Sequence, residues 1–262
     1  MLKTSGEELR AVAATSGPFP QSREFGALSH DKSRKQMQAT GGGFVTMEDL
    51  DPLVVERNPR AIRANLTHLD AIVQIHLEAF KGFFLESLGK QFLKTLYRSF
   101  ILEPSGLCLV AVERKCVVGF VVGTTQPEGF FRRLLWSRWP AFVFAGATAL
   151  TLHPIRVGRK FLSALSYRGE KPADVPNASL LSSIGVTPSA NGKGIGKILI
   201  TAFCESAQEA GSPTVFLTTD RDENDAVNQF YISNGFQLHG SFLREQGRWM
   251  KLYVRSLPNS SR

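Results

Sequence analysis

The chain has 262 residues, 43% of them hydrophobic, and carries 31 Lys and Arg against 23 Asp and Glu for a formal charge of +8. That length and composition suffice for one large buried core or two small ones and exclude a chain too polar to fold. The sequence holds no apolar run of roughly 18 residues, the minimum for a membrane-spanning helix, and Met1–Glu8 lacks the apolar centre of a secretory signal. Three cysteines, Cys108, Cys116 and Cys204, fit neither a disulfide framework nor a metal-ligand spacing. They read as reduced thiols of a cytoplasmic protein with no metal.

Residues 1–56 are predicted to be a disordered tail. They mix six Lys and Arg with eight Asp and Glu, are interrupted by Gly41-Gly42-Gly43, and show no sustained periodicity. A single domain is expected over 57–258. Ala61–Asn65 reads as a short first strand, and Thr67 as the N-cap of a helix starting near Leu69-Asp70. The stripe Leu69, Ile72, Ile75, Ala79 continues that helix, and Phe92, Leu93, Leu96, Tyr97 and Phe100 mark a second. Leu107–Glu113 and Val117–Gly123 are apolar strands separated by Arg114-Lys115, the pattern of an antiparallel hairpin.

Residues 129–171 interrupt this plan as an inserted basic segment. They hold eight Lys and Arg against Glu170 alone, around a run hydrophobic nearly all round, Trp139–Leu150. Pro140 and Pro154 punctuate it, which predicts two or three helices, the last over Val157–Leu165. Beyond it come a strand at 179–186, a helix at about 196–210, a strand at 214–219, a helix at about 224–233, and strands at 236–242 and 249–254 turned by Gln246-Gly247.

The most informative stretch lies between the strand at 179–186 and the next helix: Asn191-Gly192-Lys193-Gly194-Ile195-Gly196-Lys197. Glycines admit positive φ and close ligand approach. The first N–H groups of a helix have no intrahelical partner, so a strand, a glycine turn and a helix start make a cradle for phosphate or pyrophosphate. Spacing narrows the ligand. A Walker A loop needs Ser or Thr after Gly-Lys and a glycine five places before the last glycine, whereas here Ile198 and Asn191 stand there. A Rossmann fingerprint fits Gly192 and Gly194 but meets Lys197 at its third glycine.

The stretch resembles the [Q/R]-x-x-G-x-[G/A] loop of the GNAT superfamily of acyl-CoA-dependent N-acetyltransferases, with Gly194 and Gly196 in the glycine places. Asn191 departs from the usual Gln or Arg. A second segment, Asn224 to Phe236, resembles the superfamily's N-x-x-A-x-x-x-Y-x-x-x-G-F at Asn224, Tyr231, Gly235 and Phe236, with alanine at 226 rather than 227. The resemblance spans roughly 61–256 and implies an α/β fold: a mixed, mostly antiparallel sheet flanked by helices, with a V-shaped splay between the fourth and fifth strands.

It also implies a donor site for acetyl-CoA. Backbone N–H groups of Gly192, Lys193, Gly194, Ile195 and Gly196 would hold the pyrophosphate, with Asn191 beside them. Lys193 and Lys197 are either charge partners of the phosphates or solvated helix-start residues. The backbone of Ile184, Gly185 and Val186 would pair with pantetheine and polarise the thioester carbonyl. Gly185 is unusual inside a strand and marks a bulge, a close approach or a mere turn-side glycine. Tyr231 falls where the resemblance implies the acid that protonates the thiolate; its other reading is an aromatic packed beside Phe230. Asn224 and Asn228 either bond pantetheine or cap their helix.

The general base stays open. Thr219 stands where related protein N-terminal acetyltransferases have Glu, Asp220 should face the other way, and Glu86 could act through water. The implied reaction is acetylation of a small, anionic primary amine, such as a nucleotide-linked amino sugar, steered by the positive insertion. The alternatives are a protein N-terminal or lysine acetyltransferase and a non-catalytic CoA-binding regulator. The insertion could equally be a solvated helical lid; membrane-surface contact ranks last, and no nucleic-acid motif accompanies the charge. A monomer or a homodimer fits.

Overall fold

The structure is a computed structural model that describes residues 58–81, 84–137, 140–142, 175–244 and 247–258. The tail 1–56 and the predicted helices of 143–171 lie outside the described residues. Strand β1 (Arg60–Arg63) opens the chain, followed by a 3-10 turn at Leu66–His68 and helix α1 (Leu69–Ala79). The cap of this start is Asn65, not Thr67 as expected. Asn65 Oδ1 accepts from Thr67 N–H at 2.9 Å, and His68 Nδ1 accepts from Asn65 N–H at 3.1 Å. The reciprocal arrangement satisfies two donors at once, and the three-residue 3-10 turn separates the cap from the apolar stripe that begins at Leu69.

A short helix α2 (Phe84–Ser87), absent from the sequence reading, precedes α3 (Lys90–Leu102). Strands β2 (Gly106–Glu113) and β3 (Cys116–Thr124) form the expected hairpin. Arg114 and Lys115 both take positive φ, 49° and 65°, the mirror-image turn whose twist matches two paired strands. Helix α4 (Phe130–Ser137) follows, then β4 (Ser179–Val186), α5 (Ile195–Glu209), β5 (Thr214–Asp220), α6 (Asp225–Ser233), β6 (Gln237–Leu243) and β7 (Trp249–Ser256).

The seven strands form one sheet in the order β1-β2-β3-β4-β5-β7-β6. All neighbours are antiparallel except β4 and β5, which are parallel and meet only at Ser179↔Val215 and Leu180↔Phe216. Beyond Leu180, β4 stays with β3 while β5 follows β7. The parting starts at a bulge: Gly123 pairs with Leu181 but Val122 with Ser183, so β4 carries one extra residue there. A bulge bends its strand and sharpens the local twist, and this one turns β4 away from β5. The V-shaped splay is thus present between the fourth and fifth strands, as the sequence resemblance implied.

Both sheet faces are covered. Cys108, Val110, Phe120 and Val122 pack with α1, α3 and α4 on one side; Leu107, Leu109, Ala111 and Val121 pack with α5 and α6 on the other. Full burial of such a side chain contributes about 1.5–3 kcal/mol. Strands buried on both faces read as continuous apolar runs, which is why 107–113 and 117–123 were legible. Within residues 129–142, α4 buries Phe130, Leu134 and Leu135, and Phe142 packs on Phe92 with ring centroids 5.2 Å apart. Among the described residues no helix is long and apolar enough to cross a membrane.

Candidate active site

The glycine loop joins the splayed end of β4 to α5. Gly192 and Gly194 hold φ of +76° and +77°, with nothing within 4 Å of an added Cβ, and Gly194 is the N-cap of α5. Their requirement is conformational, since an L-residue pays about 1–2 kcal/mol in the left-handed region. Gly196 is needed for another reason: a Cβ there would lie 2.9 Å from Phe230 Cζ on α6. Ile195, 1% exposed, anchors the loop in the core. Ile198 N–H finds Gly194 O at 3.1 Å, so the N–H groups of Ile195, Gly196 and Lys197 precede the first intrahelical acceptor.

These groups border a cleft of about 410 Å³ whose walls include Val186, Asn191, Gly192, Gly194 to Lys197, and Phe230, Ser233 and Asn234 of α6. Of the two lysines, Lys197 lines the cleft and Lys193 does not. The cleft reaches β4 at its last residue, Val186. Thr187 N–H donates to Val118 O at 2.9 Å. Backbone direction alternates along an antiparallel ladder, so Gly185 faces β3 while the N–H and C=O of Ile184 and Val186 face the parting. Among the described residues no strand pairs with Ile184 and Val186 on that side. Of the three residues expected to meet pantetheine, Ile184 and Val186 present their backbones to the parting.

Gly185 marks a close approach, and the bulge lies earlier, at Leu181–Ser183. A Cβ on Gly185 would be 2.9 Å from Phe120 Cε1. Two buried hydroxyls border the parting. Thr218 Oγ1 on β5 has no hydrogen-bond partner, and Ser183 Oγ on β4 nears the Tyr97 hydroxyl without reaching hydrogen-bond geometry. An open strand edge, a helix start and underused buried polar atoms fit an extended ligand with an anionic end, as acetyl-CoA is.

The α6 residues are placed differently. Tyr231 is fully buried, its ring against Phe230, Phe236 and Tyr253 in the cluster that also holds Ile184. Asn224 stands at the N-cap position, yet its side chain makes no capping bond. Its Nδ2 reaches back to Thr219 Oγ1 at 2.8 Å and to Asp220 O at 3.2 Å. Asn228 Nδ2 donates to Asn224 O at 2.7 Å and Asp220 O at 3.2 Å, and its Oδ1 accepts from Tyr253 O–H at 3.0 Å. The capping reading of both asparagines is therefore corrected: they tie α6 to the end of β5.

Thr219 is buried and engaged by Asn224, and the Asp220 carboxylate is paired with the Arg248 guanidinium of β7's approach. Beside this pair, Arg221 Cζ stacks 4.5 Å from the Trp249 ring centroid. Glu86 is half-buried on α2. No group of three His, Cys, Asp or Glu side chains among the described residues is placed to hold a metal.

One buried polar pair escaped the sequence reading: His76 Nδ1 and the Tyr97 hydroxyl, 2.7 Å apart, both from residues about 1% exposed or less. They come from helices 21 positions apart, so only the tertiary fold joins them. Burial lowers His76 to about 3 and pushes the Tyr97 hydroxyl upward. A histidine depressed from 6.5 binds its proton in the unfolded chain first, so stability falls as pH drops from 6.5 toward about 3. In urea titrations, His76→Gln should remove about 1.4 kcal/mol per pH unit of that dependence. An unchanged slope below pH 6 would show that His76 is not buried neutral.

A parallel pair that parts beside a glycine loop leaves an open strand edge next to a helix start, room for an extended ligand with an anionic end. The Acetyltransferase (GNAT) family profile matches residues 69–236, and the chain belongs to that family. A GNAT-family protein from Desulfovibrio desulfuricans has the same fold at a TM-score of 0.50 and 13% identity, covering 76% of this chain and 99% of the other. The ribosomal-protein-S18-alanine N-acetyltransferase of Escherichia coli aligns at a TM-score of 0.47 and 13% identity over 78% of this chain and 99% of its own. A ribosomal-protein-alanine N-acetyltransferase of Brucella melitensis aligns at 0.47 and 18% over 75% and 99%. No curated protein matches the chain.

Proposed function

We propose that this enzyme transfers acetyl from acetyl-CoA to the primary amine of a small, anionic acceptor by direct attack. The observation that carries the donor half is the parting of β4 from β5 after Leu180, beside the loop Gly192–Gly196. Acetyl-CoA supplies an activated acyl thioester. The N–H groups at the start of α5 hold its pyrophosphate, with Lys197 as charge partner. The outward backbone of Ile184 and Val186 aligns the pantetheine and polarises the carbonyl. Asn224 and Asn228 act as positioning residues that keep α6 against β5. Tyr231 gives the departing sulfur its proton, a role supported by its place directly after the cleft residue Phe230 and in one cluster with Ile184. A phenol, with its ordinary value near 10 in water, has a proton to give at neutral pH.

The anionic acceptor is supported by the insertion, eight Lys and Arg against one Glu, which would attract negative charge to that side of the molecule. A cytoplasmic setting suits three free thiols. Thiol release from acetyl-CoA, followed across nucleotide-linked amino sugars, phosphorylated amines, neutral amines and N-terminal peptides, tests the reading. Fastest release with an anionic small amine is expected. Preference for peptides would make it a protein acetyltransferase, and tight CoA binding without release for any amine would make it a regulator.

A further inference from the structure

The cleft beside the glycine loop and the rings packed over Gly185 lie on opposite faces of the sheet. The cleft lies on the α5–α6 side, walled by Val186, Gly196 and Phe230. Ile184 packs in the cluster of that side, so its neighbours Ser183 and Gly185 look toward α1 and α3. There the space over Gly185 is already filled. A Cβ on Gly185 would meet Phe120 Cε1 at 2.9 Å and Phe80 Cε2 at 3.3 Å.

Both rings are fixed. Phe120, 0% exposed, stands edge-on to Tyr97 with centroids 5.2 Å apart at 74°, and to Phe80 at 6.5 Å and 65°. Phe80 lies 4.6 Å from the His76 ring, and His76 is held to Tyr97 by their 2.7 Å hydrogen bond. Neither ring can swing aside without moving a neighbour that is itself buried. A thioester carbonyl set against the backbone of Ile184 and Val186 has this wall next to its acyl group.

We propose that Phe120 and Phe80 form the end wall of the acyl site and restrict the donor to acetyl, excluding acyl chains of four carbons or more. The inference rests on the donor-site reading of the splay and the glycine loop. A methyl fits against the wall; each further methylene presses into aromatic rings that close packing holds in place, and overpacking of that kind is resisted. Deleting ring volume from Phe120 or Phe80 therefore makes room for the longer chain without touching the pyrophosphate loop.

The test is equilibrium binding of CoA, acetyl-CoA, butyryl-CoA and hexanoyl-CoA to the full chain, to Phe120→Leu and to Phe80→Leu, each checked for folding by circular dichroism. In the wild type, butyryl-CoA should bind at least about tenfold more weakly than acetyl-CoA, the discrimination a methylene or two supplies in a closed pocket. In either variant that ratio should fall below about threefold, with affinity for CoA, which carries no acyl group, held within a similar factor. Equal wild-type binding of acetyl-CoA and butyryl-CoA would overturn the wall, and so would folded variants that keep the penalty; if one variant does not fold, the other decides. Failure to bind any of the four, CoA included, is a different result: it removes the donor site itself, and the wall with it.

Discussion

Gly196→Val is expected to weaken acetyl-CoA binding by about a hundredfold while the chain stays folded, on the order of 3 kcal/mol. The loss has two parts. An added Cβ meets Phe230 Cζ at 2.9 Å. That ring is the movable end of a half-buried side chain lining the cleft, so it yields into the space the donor needs. The valine's own branches also cover helix-start N–H groups that a phosphate must approach closely. The matching control is Gly211→Asn. Gly211 ends α5 at φ +83° with open space around it and lies outside the cleft. Asparagine tolerates that conformation, so acetyl-CoA affinity should not change. Isothermal titration reads both. Equal affinity in Gly196→Val and wild type would mean that the loop does not carry the donor.

Tyr231→Phe should lower turnover by about 10²–10³-fold, within the range one positioned acid supplies, and leave acetyl-CoA affinity within about threefold. The separation between the two readouts is what distinguishes chemistry from packing. The ring is buried at 0% exposure against Phe230, Phe236 and Tyr253, and phenylalanine keeps all of those contacts. A residue needed only to fill the core would lose about 1 kcal/mol of stability with its hydroxyl and little else. A variant that melts slightly lower but turns over at the wild-type rate would take the acid role away from Tyr231.

Much of the fold was legible because its signals are local. The apolar runs at 107–113 and 117–123, the stripe through Leu69 to Ala79, and the glycine turn each follow from periodicity or φ requirements within about ten residues of chain. The splay came from resemblance, and the physical device that produces it did not show. The bulge at Val122/Gly123 opposite Leu181–Ser183 depends on which residues two strands bring together. For the same reason Gly185 stayed open between a bulge, a close approach and a turn-side glycine, and Gly196 read only as part of the loop; both turn out to make room for aromatic rings from other elements, Phe120 and Phe230.

The asparagines show a further limit. Asn224 at a helix start reads as a cap from sequence. Its amide goes instead to Thr219 and Asp220, because the β5 end lies within reach only after α6 has docked. The pairing of Asp220 is equally out of local reach: its partner, Arg248, is 28 residues away. The His76–Tyr97 pair has no sequence signature of any kind, since each residue is an ordinary member of an apolar helix face.

The central claim is that acetyl-CoA lies between the glycine loop and the open edge of β4. Amide hydrogen exchange with and without saturating acetyl-CoA tests it most directly. The amides of Ile184 and Val186 and those of Gly192 to Lys197 should gain protection on binding, while the β2–β3 turn at Arg114-Lys115 exchanges as before. Saturable binding with unchanged exchange across 184–197 would contradict the account.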